Sequence, residues 1–179
     1  MAQFPADMTA NGKSFSLFRH GALLLAFLMS LGAAQGVLAQ GWKLKDRDGV
    51  SYTLPSLKGK WVLVNFWAPW CPVCIEEMPV FNALQKERKD LQIIGVAVMY
   101  LKQQEVIDVV QARKLAYPVV LGTEDLASEF GEMRGMPTSF LYAPSGKLVG
   151  RHDGPLSQHD IEQVIAQAPE AARVFTGGD

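Results

Sequence analysis

The chain is short of cysteine, of histidine and of excess charge. Its 179 residues include two cysteines and three histidines, and 17 basic residues nearly balance 18 acidic ones. The net charge of −1 argues against the basic surface that neutralises nucleic-acid phosphates, so we expect no nucleic-acid partner. Two cysteines cannot form a multi-disulfide scaffold, and a hydrophobic core must therefore stabilise the fold. With 49% apolar residues, the composition is also not that of a disordered chain.

The N-terminal part has the pattern of a targeting segment. Lys13 and Arg19 precede a stretch over 21–39 that is apolar except for two residues. Its densest part has the length of a signal-peptide h-region, and its last three residues, Val-Leu-Ala, fit a cleavage site. The stretch is also nearly as long as a membrane anchor, which needs about 20 apolar residues. We therefore expect residues 1–39 to be a signal peptide or N-terminal membrane anchor, and 40–179 to be one domain outside the cytoplasm.

Strand and helix patterns alternate along that domain. A nearly continuous apolar run over 61–67 predicts a central strand, and apolar residues at three-residue steps predict a helix from 72 to about 89. Further elements are expected as a hairpin within 42–53, strands at 91–99, 117–121, 138–142 and 148–151, helices at 104–115 and 125–130, and a last helix capped by Ser157. This order predicts an α/β fold, with a central mixed sheet and helices on both of its faces.

Both cysteines stand in one short motif, Cys71-Pro72-Val73-Cys74. Residues three apart lie on one side of a helix, and proline is favoured at the first helical position, so the motif predicts a redox pair at a helix start. Unpaired N–H groups there attract negative charge and favour the thiolate form of Cys71. We expect an exposed Cys71 to attack a partner disulfide and a shielded Cys74 to resolve the mixed disulfide.

Other uses of such a motif have less support. A structural zinc site needs four ligands, and neither His152 nor His159 has metal-ligand spacing to another candidate, so no metal site is expected. A purely structural disulfide would close a very small loop and gain little from chain entropy. No cysteine belongs to a Pro-x-x-x-Thr-x-x-Cys pattern, which argues against a peroxidase. A copper-binding carrier stays open, because soft sulfur ligands suit Cu(I).

Two segments carry a family resemblance. Residues 64–74 read VNFWAPWCPVC, and residues 135–141 read GMPTSFL. Together they resemble the active-site strand and the cis-proline loop of thioredoxin-fold proteins, most closely the exported TlpA/ResA type. The resemblance covers 41 to about 168 and implies a thioredoxin-like fold with an N-terminal β-hairpin and an inserted strand–helix segment. It also implies a cis bond before Pro137, opposite the cysteines, with Met136 contacting the sulfurs and an extended substrate peptide.

The resemblance bears on three further residues. Asn65 stands where cytoplasmic thioredoxins carry a buried acid, so that proton relay is absent. Glu77 lies one helical turn after Cys74 and matches a ResA glutamate; we expect it to be partly buried, to have a raised pKa and to accept a proton from Cys74. The alternative is an ordinary first-turn glutamate stabilised by the helix dipole. Trp70, together with Pro72, is expected to form a substrate-binding surface beside the first cysteine.

The function implied is that of a thiol-disulfide oxidoreductase in the periplasm or at the extracytoplasmic face of the inner membrane. It needs no cofactor, because the dithiol itself carries two electrons. We expect a monomer that a membrane electron-donor protein keeps reduced and that reduces specific partners, such as apocytochrome c or copper-delivery proteins. A disulfide oxidant or isomerase is the alternative enzyme, since Pro-Val between the cysteines does not fix the reduction potential. A copper-binding thiol carrier is the alternative of another class.

Overall fold

The computed structural model describes residues 41–168, so the expected signal peptide or anchor at 1–39 lies outside the described residues. The strands are β1 (Lys43–Lys45), β2 (Ser51–Thr53), β3 (Trp61–Trp67), β4 (Leu91–Ala97), β5 (Val119–Leu121), β6 (Thr138–Tyr142) and β7 (Leu148–Asp153). The helices are α1 (Pro72–Glu87), α2 (Gln103–Arg113), α3 (Glu124–Ser128) and α4 (Gln158–Gln167), and a 3₁₀ turn spans Pro55–Leu57. Within 41–168, no helix is both long and apolar enough to cross a membrane.

The element types agree with the sequence patterns, while several ends differ. The second long helix was expected to reach residue 115, but Lys114 takes a left-handed conformation (φ 49°) and its N–H bonds back to Gln111, which ends α2. β4 was expected to run to residue 99, but Met99 also has a positive φ, of 54°, and turns the chain away from the sheet. These ends depend on backbone conformations that apolar patterns do not encode.

β3 lies at the centre of a five-stranded mixed sheet whose order is β5-β4-β3-β6-β7. β3 and β4 are parallel, β4 and β5 are parallel, and β6 is antiparallel to both β3 and β7. β1 and β2 form a separate antiparallel hairpin. The expected α/β architecture, with a central mixed sheet and an N-terminal hairpin, is therefore confirmed.

The sheet divides the hydrophobic core into two layers. Alternate residues of β3 point to opposite faces, so Leu63 and Trp67 belong to one layer and Val64 and Phe66 to the other. The first layer is completed by α1, α2 and α4, through Met78, Phe81, Leu84, Val106, Val110, Ile161 and Ile165. The second is completed by the hairpin and α3, through Trp42, Leu44 and Ala127. Helices do lie on both faces, but one short helix shares the second face with the hairpin.

The pairing of β3 brings three chain segments to one edge of the sheet. Trp67, the last residue of β3, is opposite Ala97, the last of the parallel β4. Phe66 is opposite Thr138, the first residue of the antiparallel β6. A bond of 2.9 Å from the Val98 N–H to the Trp67 carbonyl continues the pairing beyond the strands. The segments that follow β3 and β4 and the segment that precedes β6 therefore meet at the same edge.

Gly122, which follows β5, lies where the packing beside this edge leaves no space for a side chain. A Cβ at this position would lie 2.6 Å from Cγ1 of Val96 and 3.0 Å from the carbonyl oxygen of Ala97. Backbone and a fully buried side chain cannot yield easily, so we expect Gly122→Ala to lower the free energy of unfolding by about 1–3 kcal/mol. Urea denaturation followed by circular dichroism measures the change.

Gly135→Ala is the matched control for that substitution. A Cβ there meets nothing within 4 Å, and a new alanine restricts the unfolded chain, so its midpoint should stay equal or rise slightly. Equal urea midpoints for both alanine variants would contradict the packing described around Gly122.

Candidate active site

Cys71 and Cys74 form a disulfide at the start of α1, with an S–S distance of 2.13 Å. Cys71 is the N-cap residue, and Pro72 occupies the first turn, where no N–H is needed. The backbone N–H of Cys74 donates to Sγ of Cys71 at 3.3 Å. Because this N–H already points at the sulfur, it is placed to stabilise the negative charge that Cys71 carries when the disulfide opens.

Cys71 is less exposed than its position in the motif predicts. Its exposed fraction is 5%, and that of Cys74 is 0%. The order of exposure is the expected one, but the expectation of an exposed first cysteine is wrong for this disulfide-bonded form. The reason is packing: both cysteines belong to the core layer that includes Ala68, and Met136 packs against that layer.

Trp70 supplies the exposed surface beside the disulfide. It is 58% exposed, in agreement with expectation. Its indole Nε1 donates to the carbonyl oxygen of Met99 at 2.6 Å. This bond ties the residue before Cys71 to the turn after β4, and Met99 itself is 52% exposed. Trp70 and Met99 thus form one continuous surface at the sheet edge.

The Met136–Pro137 peptide bond is cis, as the resemblance implied. Pro137 precedes Thr138, which is paired with Phe66, so this loop lies at the same edge as the cysteine motif. The Thr138 hydroxyl lies 2.9 Å from the Gly135 carbonyl oxygen and 2.9 Å from a carboxylate oxygen of Asp153, which holds the loop in place. Within residues 41–168, the N–H and C=O of Met136 make no hydrogen bond, so both are available to an extended peptide.

Glu77 is buried on the same side of α1 as Cys74. It is 4% exposed and lies beyond the first turn of the helix, so the alternative of an ordinary first-turn glutamate is wrong. Its Oε1 accepts from Nδ2 of Asn65 at 2.9 Å, and its Oε2 accepts from the backbone N–H of Leu156 at 3.0 Å. The three-residue spacing from Cys74 puts both side chains on one helical face.

Burial raises the pKa of Glu77 from 4.5 to about 7. Removing a carboxylate from water disfavours its charged form, and here that effect outweighs the bonds from Leu156 and Asn65, which lower the pKa. The Glu77 charge also acts on a neighbour: burial first, and then Glu77, raise the pKa of Tyr117. A group that titrates near neutral pH is suited to accept and release a proton under ordinary conditions.

Asn65 makes contacts beyond the absence of a relay acid at its position. An amide cannot carry the relay proton, but Nδ2 of Asn65 donates both to Glu77 and, at 3.0 Å, to Oγ of Ser139. Asn65 and Ser139 are opposite each other in the β3–β6 pairing. Strand alternation places Asn65 on the α1 face and could have revealed this contact. No sequence signal indicates the Leu156 bond, which joins residues 79 apart.

Glu77 also lines a cleft of about 340 Å³ between α1 and the segment before α4. Val80 and Leu156 contribute apolar walls, and Glu76 and Asp160 contribute further carboxyl groups. The carboxyl of Glu77 is therefore buried against the protein yet lies next to a space that can hold water. The cleft therefore brings solvent-accessible space up to Glu77.

Comparison with known proteins identifies the family. Residues 36–151 match the AhpC/TSA family. Thioredoxin-like protein YneN of Bacillus subtilis is 31% identical over 139 residues, which cover 75% of this chain and 81% of that protein. Thiol-disulfide oxidoreductase ResA of Geobacillus thermodenitrificans is 30% identical over 141 residues, which cover 76% of this chain and 79% of that protein.

A solved structure agrees with these relatives. The thiol:disulfide interchange protein of the thioredoxin family from Chlorobium tepidum is 32% identical and superposes with a TM-score of 0.63, covering 72% of this chain and 92% of that one. The disulfide at the start of α1 is the chemical group that such an enzyme requires. The chain belongs to the AhpC/TSA family, and within it to the TlpA/ResA-type thiol-disulfide oxidoreductases with a thioredoxin-like fold.

Proposed function

We propose that the chain reduces disulfides of specific partner proteins outside the cytoplasm, and that Glu77 is its proton acceptor. The observation that carries the proposal is a redox cysteine pair followed, one turn later, by a buried carboxyl with a pKa of about 7. A cysteine pair alone permits disulfide exchange in either direction. The carboxyl adds a base where the buried Cys74 must lose its proton.

The reaction starts from the dithiol form. The Cys71 thiolate attacks one sulfur of the partner disulfide, a new S–S bond joins the two proteins, and one partner thiolate leaves. Cys74 then gives its proton to Glu77, and the resulting thiolate attacks Sγ of Cys71. The second partner thiolate leaves and takes a proton from water. The partner gains two electrons, and the Cys71–Cys74 disulfide described above is the product.

The surface around the disulfide favours a protein, rather than a small molecule, as the substrate. The free N–H and C=O of Met136 can pair with an extended segment of the partner, in the manner of an added strand. Trp70, Pro72 and Met136 would then contact the residues on either side of the partner's cysteine.

The location and the redox partners are proposals from the sequence. The targeting pattern over residues 1–39 supports a domain in the periplasm, or anchored to the extracytoplasmic face of the inner membrane. There, a membrane electron-donor protein would return the disulfide to the dithiol. Proteins of cytochrome c maturation or copper delivery, which need reduced cysteines, are the proposed substrates of the monomeric enzyme.

Glu77→Gln tests the proposed proton acceptor. With the base removed, we expect resolution of the mixed disulfide at pH 7 to slow by about 10²-fold, the lower range for loss of a general base. In the unmodified enzyme, the resolution rate should rise with pH around 7 as Glu77 ionises. In the variant, the rate should rise only at the higher pH where a thiol ionises unaided. Stopped-flow release of a thiol from a preformed mixed disulfide measures both profiles.

A stability measurement provides the control for that pKa. The folded-state pKa of Glu77 is raised from 4.5 to about 7, so the carboxyl stabilises the fold below pH 4.5 and this contribution is lost as pH rises through 7. Relative to Glu77→Gln, the unmodified oxidised protein should lose about 3 kcal/mol of unfolding free energy over this window, at 1.36 kcal/mol per pH unit. The role of Glu77 would be refuted if the unmodified protein and Glu77→Gln had parallel curves of stability against pH and superimposable profiles of resolution rate against pH.

Asn65→Leu keeps the branching of the side chain at Cγ but removes the donor to Glu77. Without that bond the charged carboxyl is less stabilised, so the pKa of Glu77 should rise and the resolution profile should move to higher pH. Ser139→Ala is the control, because it removes the other acceptor of the amide and leaves the bond to Glu77. A shift of equal size in both variants would mean that Asn65 acts through the sheet and not through the carboxyl.

Partner trapping in the organism tests which proteins are substrates. Cys74→Ser leaves Cys71 able to attack but unable to be released, so mixed disulfides with substrates should accumulate and disappear on treatment with dithiothreitol. Cys71→Ser is the control and should capture nothing. Trapped proteins of cytochrome c maturation or copper delivery would identify the route. If the captured proteins lack their disulfides in cells without this chain, the enzyme is instead an oxidant. If Cys74→Ser captures no protein while the unmodified enzyme is active, the proposal is contradicted.

A further inference from the structure

A groove of about 260 Å³ lies next to the active site on the α3 face of the sheet. Its floor is formed by apolar side chains of the turn after β4, of α3 and of the loop before Pro137: Val98, Met99, Ala127, Met133 and Met136. Glu77 and its cleft belong to the opposite face, so the reaction described above does not use this groove.

The groove is continuous with the active-site edge at two points. At one end Met99 accepts the hydrogen bond from Trp70, the residue before Cys71. At the other end Met136 carries the free backbone groups before the cis bond to Pro137. A chain segment whose cysteine reaches Cys71 between these two points can extend from there into the groove.

Methionine dominates the floor of the groove. Three of its lining residues, Met99, Met133 and Met136, have flexible, polarizable side chains that fit apolar partners of varied shape. Leu101, beyond Met99, is 94% exposed, and Trp70 and Met99 are each more than half exposed. Exposed apolar groups concentrated around one edge indicate a surface that a partner covers.

The rim of the groove is acidic. Glu124 and Glu132 line it directly, and Asp125 and Glu129 stand beside it on the same segment, whereas 122–136 contains a single basic residue, Arg134. Arg134 lies 3.5 Å from a carboxylate oxygen of Glu132, but both side chains are more than 70% exposed, so this pair is weak. The guanidinium of Arg151 also reaches this rim, where it donates to the Glu132 carbonyl oxygen, but its charge is paired with Asp153. The segment 122–136 itself carries an excess of three negative charges at neutral pH.

We propose that this groove selects the partner: it binds an extended segment with apolar residues next to the reactive cysteine and basic residues flanking them. This inference rests on the proposed function, since it names the class of protein substrate that the site takes. The apolar floor favours large apolar side chains, and the acidic rim favours lysine and arginine. A second copy of this chain is disfavoured as occupant, because two acidic rims facing each other repel.

The test uses the reduced protein and three synthetic peptides, each with its one cysteine in a mixed disulfide with nitrothiobenzoate. One peptide has leucine and methionine beside the cysteine and lysine as flanking residues; the second replaces lysine with glutamate, and the third replaces leucine and methionine with serine. Attack by the Cys71 thiolate on the peptide sulfur forms an S–S bond to the peptide and releases the coloured nitrothiobenzoate thiolate. The second-order rate constants are measured at low and high salt.

We expect the lysine peptide to react about 10-fold faster than the glutamate peptide at low salt, and the two rates to converge at high salt, where charges are screened. The serine peptide should react several-fold more slowly than the lysine peptide at both salt concentrations. In the double variant Glu124→Gln/Glu132→Gln, the ratio of lysine to glutamate rates should fall to about 3 or less. The double variant Asp125→Asn/Glu129→Gln removes the same total charge outside the groove and should keep most of the ratio.

Each remaining outcome has one meaning. Equal rates for the three peptides, with normal reduction of hydroxyethyl disulfide, overturn the groove as a selector and leave the proposed function standing. If both double variants lose the ratio of lysine to glutamate rates equally, the preference for lysine comes from the net charge of the protein. That result also overturns the groove as the selector. If the protein sediments as a dimer whose interface buries this surface, the occupant of the groove is a second copy of this chain and the proposal is overturned. Failure to reduce hydroxyethyl disulfide would instead defeat the proposed function.

Discussion

The pairing of β3 with a parallel strand on one side and an antiparallel strand on the other is the constraint on which the active site depends. Parallel β4 ends where β3 ends, and antiparallel β6 begins there, so three segments distant in sequence meet without any long loop. The cysteine motif, the turn at Met99 and the loop at Pro137 each come from one of these segments. Any slip of the β3–β6 register by one residue would move Asn65 to the face away from α1.

The two proposals place separate tasks on opposite faces of the sheet. On the α1 face, a buried carboxyl accepts hydrogen bonds from Asn65 and Leu156. Those donors offset part of the cost of burial, and the part that remains sets the pKa of Glu77 near neutrality. On the α3 face, an apolar groove with an acidic rim is open to a partner. If Glu77 accepts the proton and the groove selects the partner, substitutions on opposite sides of one strand would change these two functions independently.

Local patterns predicted most of the fold. The apolar run over 61–67 and the three-residue spacing after Pro72 are properties of neighbouring residues, and both elements have the expected type and start. Ser157 caps α4 with a reciprocal bond to Asp160, again a pattern within a few residues. Cys71 and Pro137 are 66 positions apart along the chain, so no local pattern brings them together. Their placement opposite each other was predicted only from the family resemblance.

What the sequence could not predict depends on contacts between distant residues. The burial of Cys71 follows from how the disulfide packs against the core, and solvent exposure is not a property of the motif itself. The positive φ of Met99, which aims its carbonyl at Trp70, belongs to a residue type that rarely adopts it. The donor to Glu77 from Leu156 is a backbone group, so no side-chain pattern marks it.

That bond has a consequence for the C-terminal part of the domain. The match to the AhpC/TSA family ends at residue 151, whereas the backbone donor that holds the second oxygen of Glu77 lies at residue 156. The segment leading into the last helix thus holds the Glu77 carboxyl on the buried side of α1, the side that also carries Cys74. A relative that shares both cysteines but diverges after β7 would inherit the electron chemistry without inheriting its acid–base tuning.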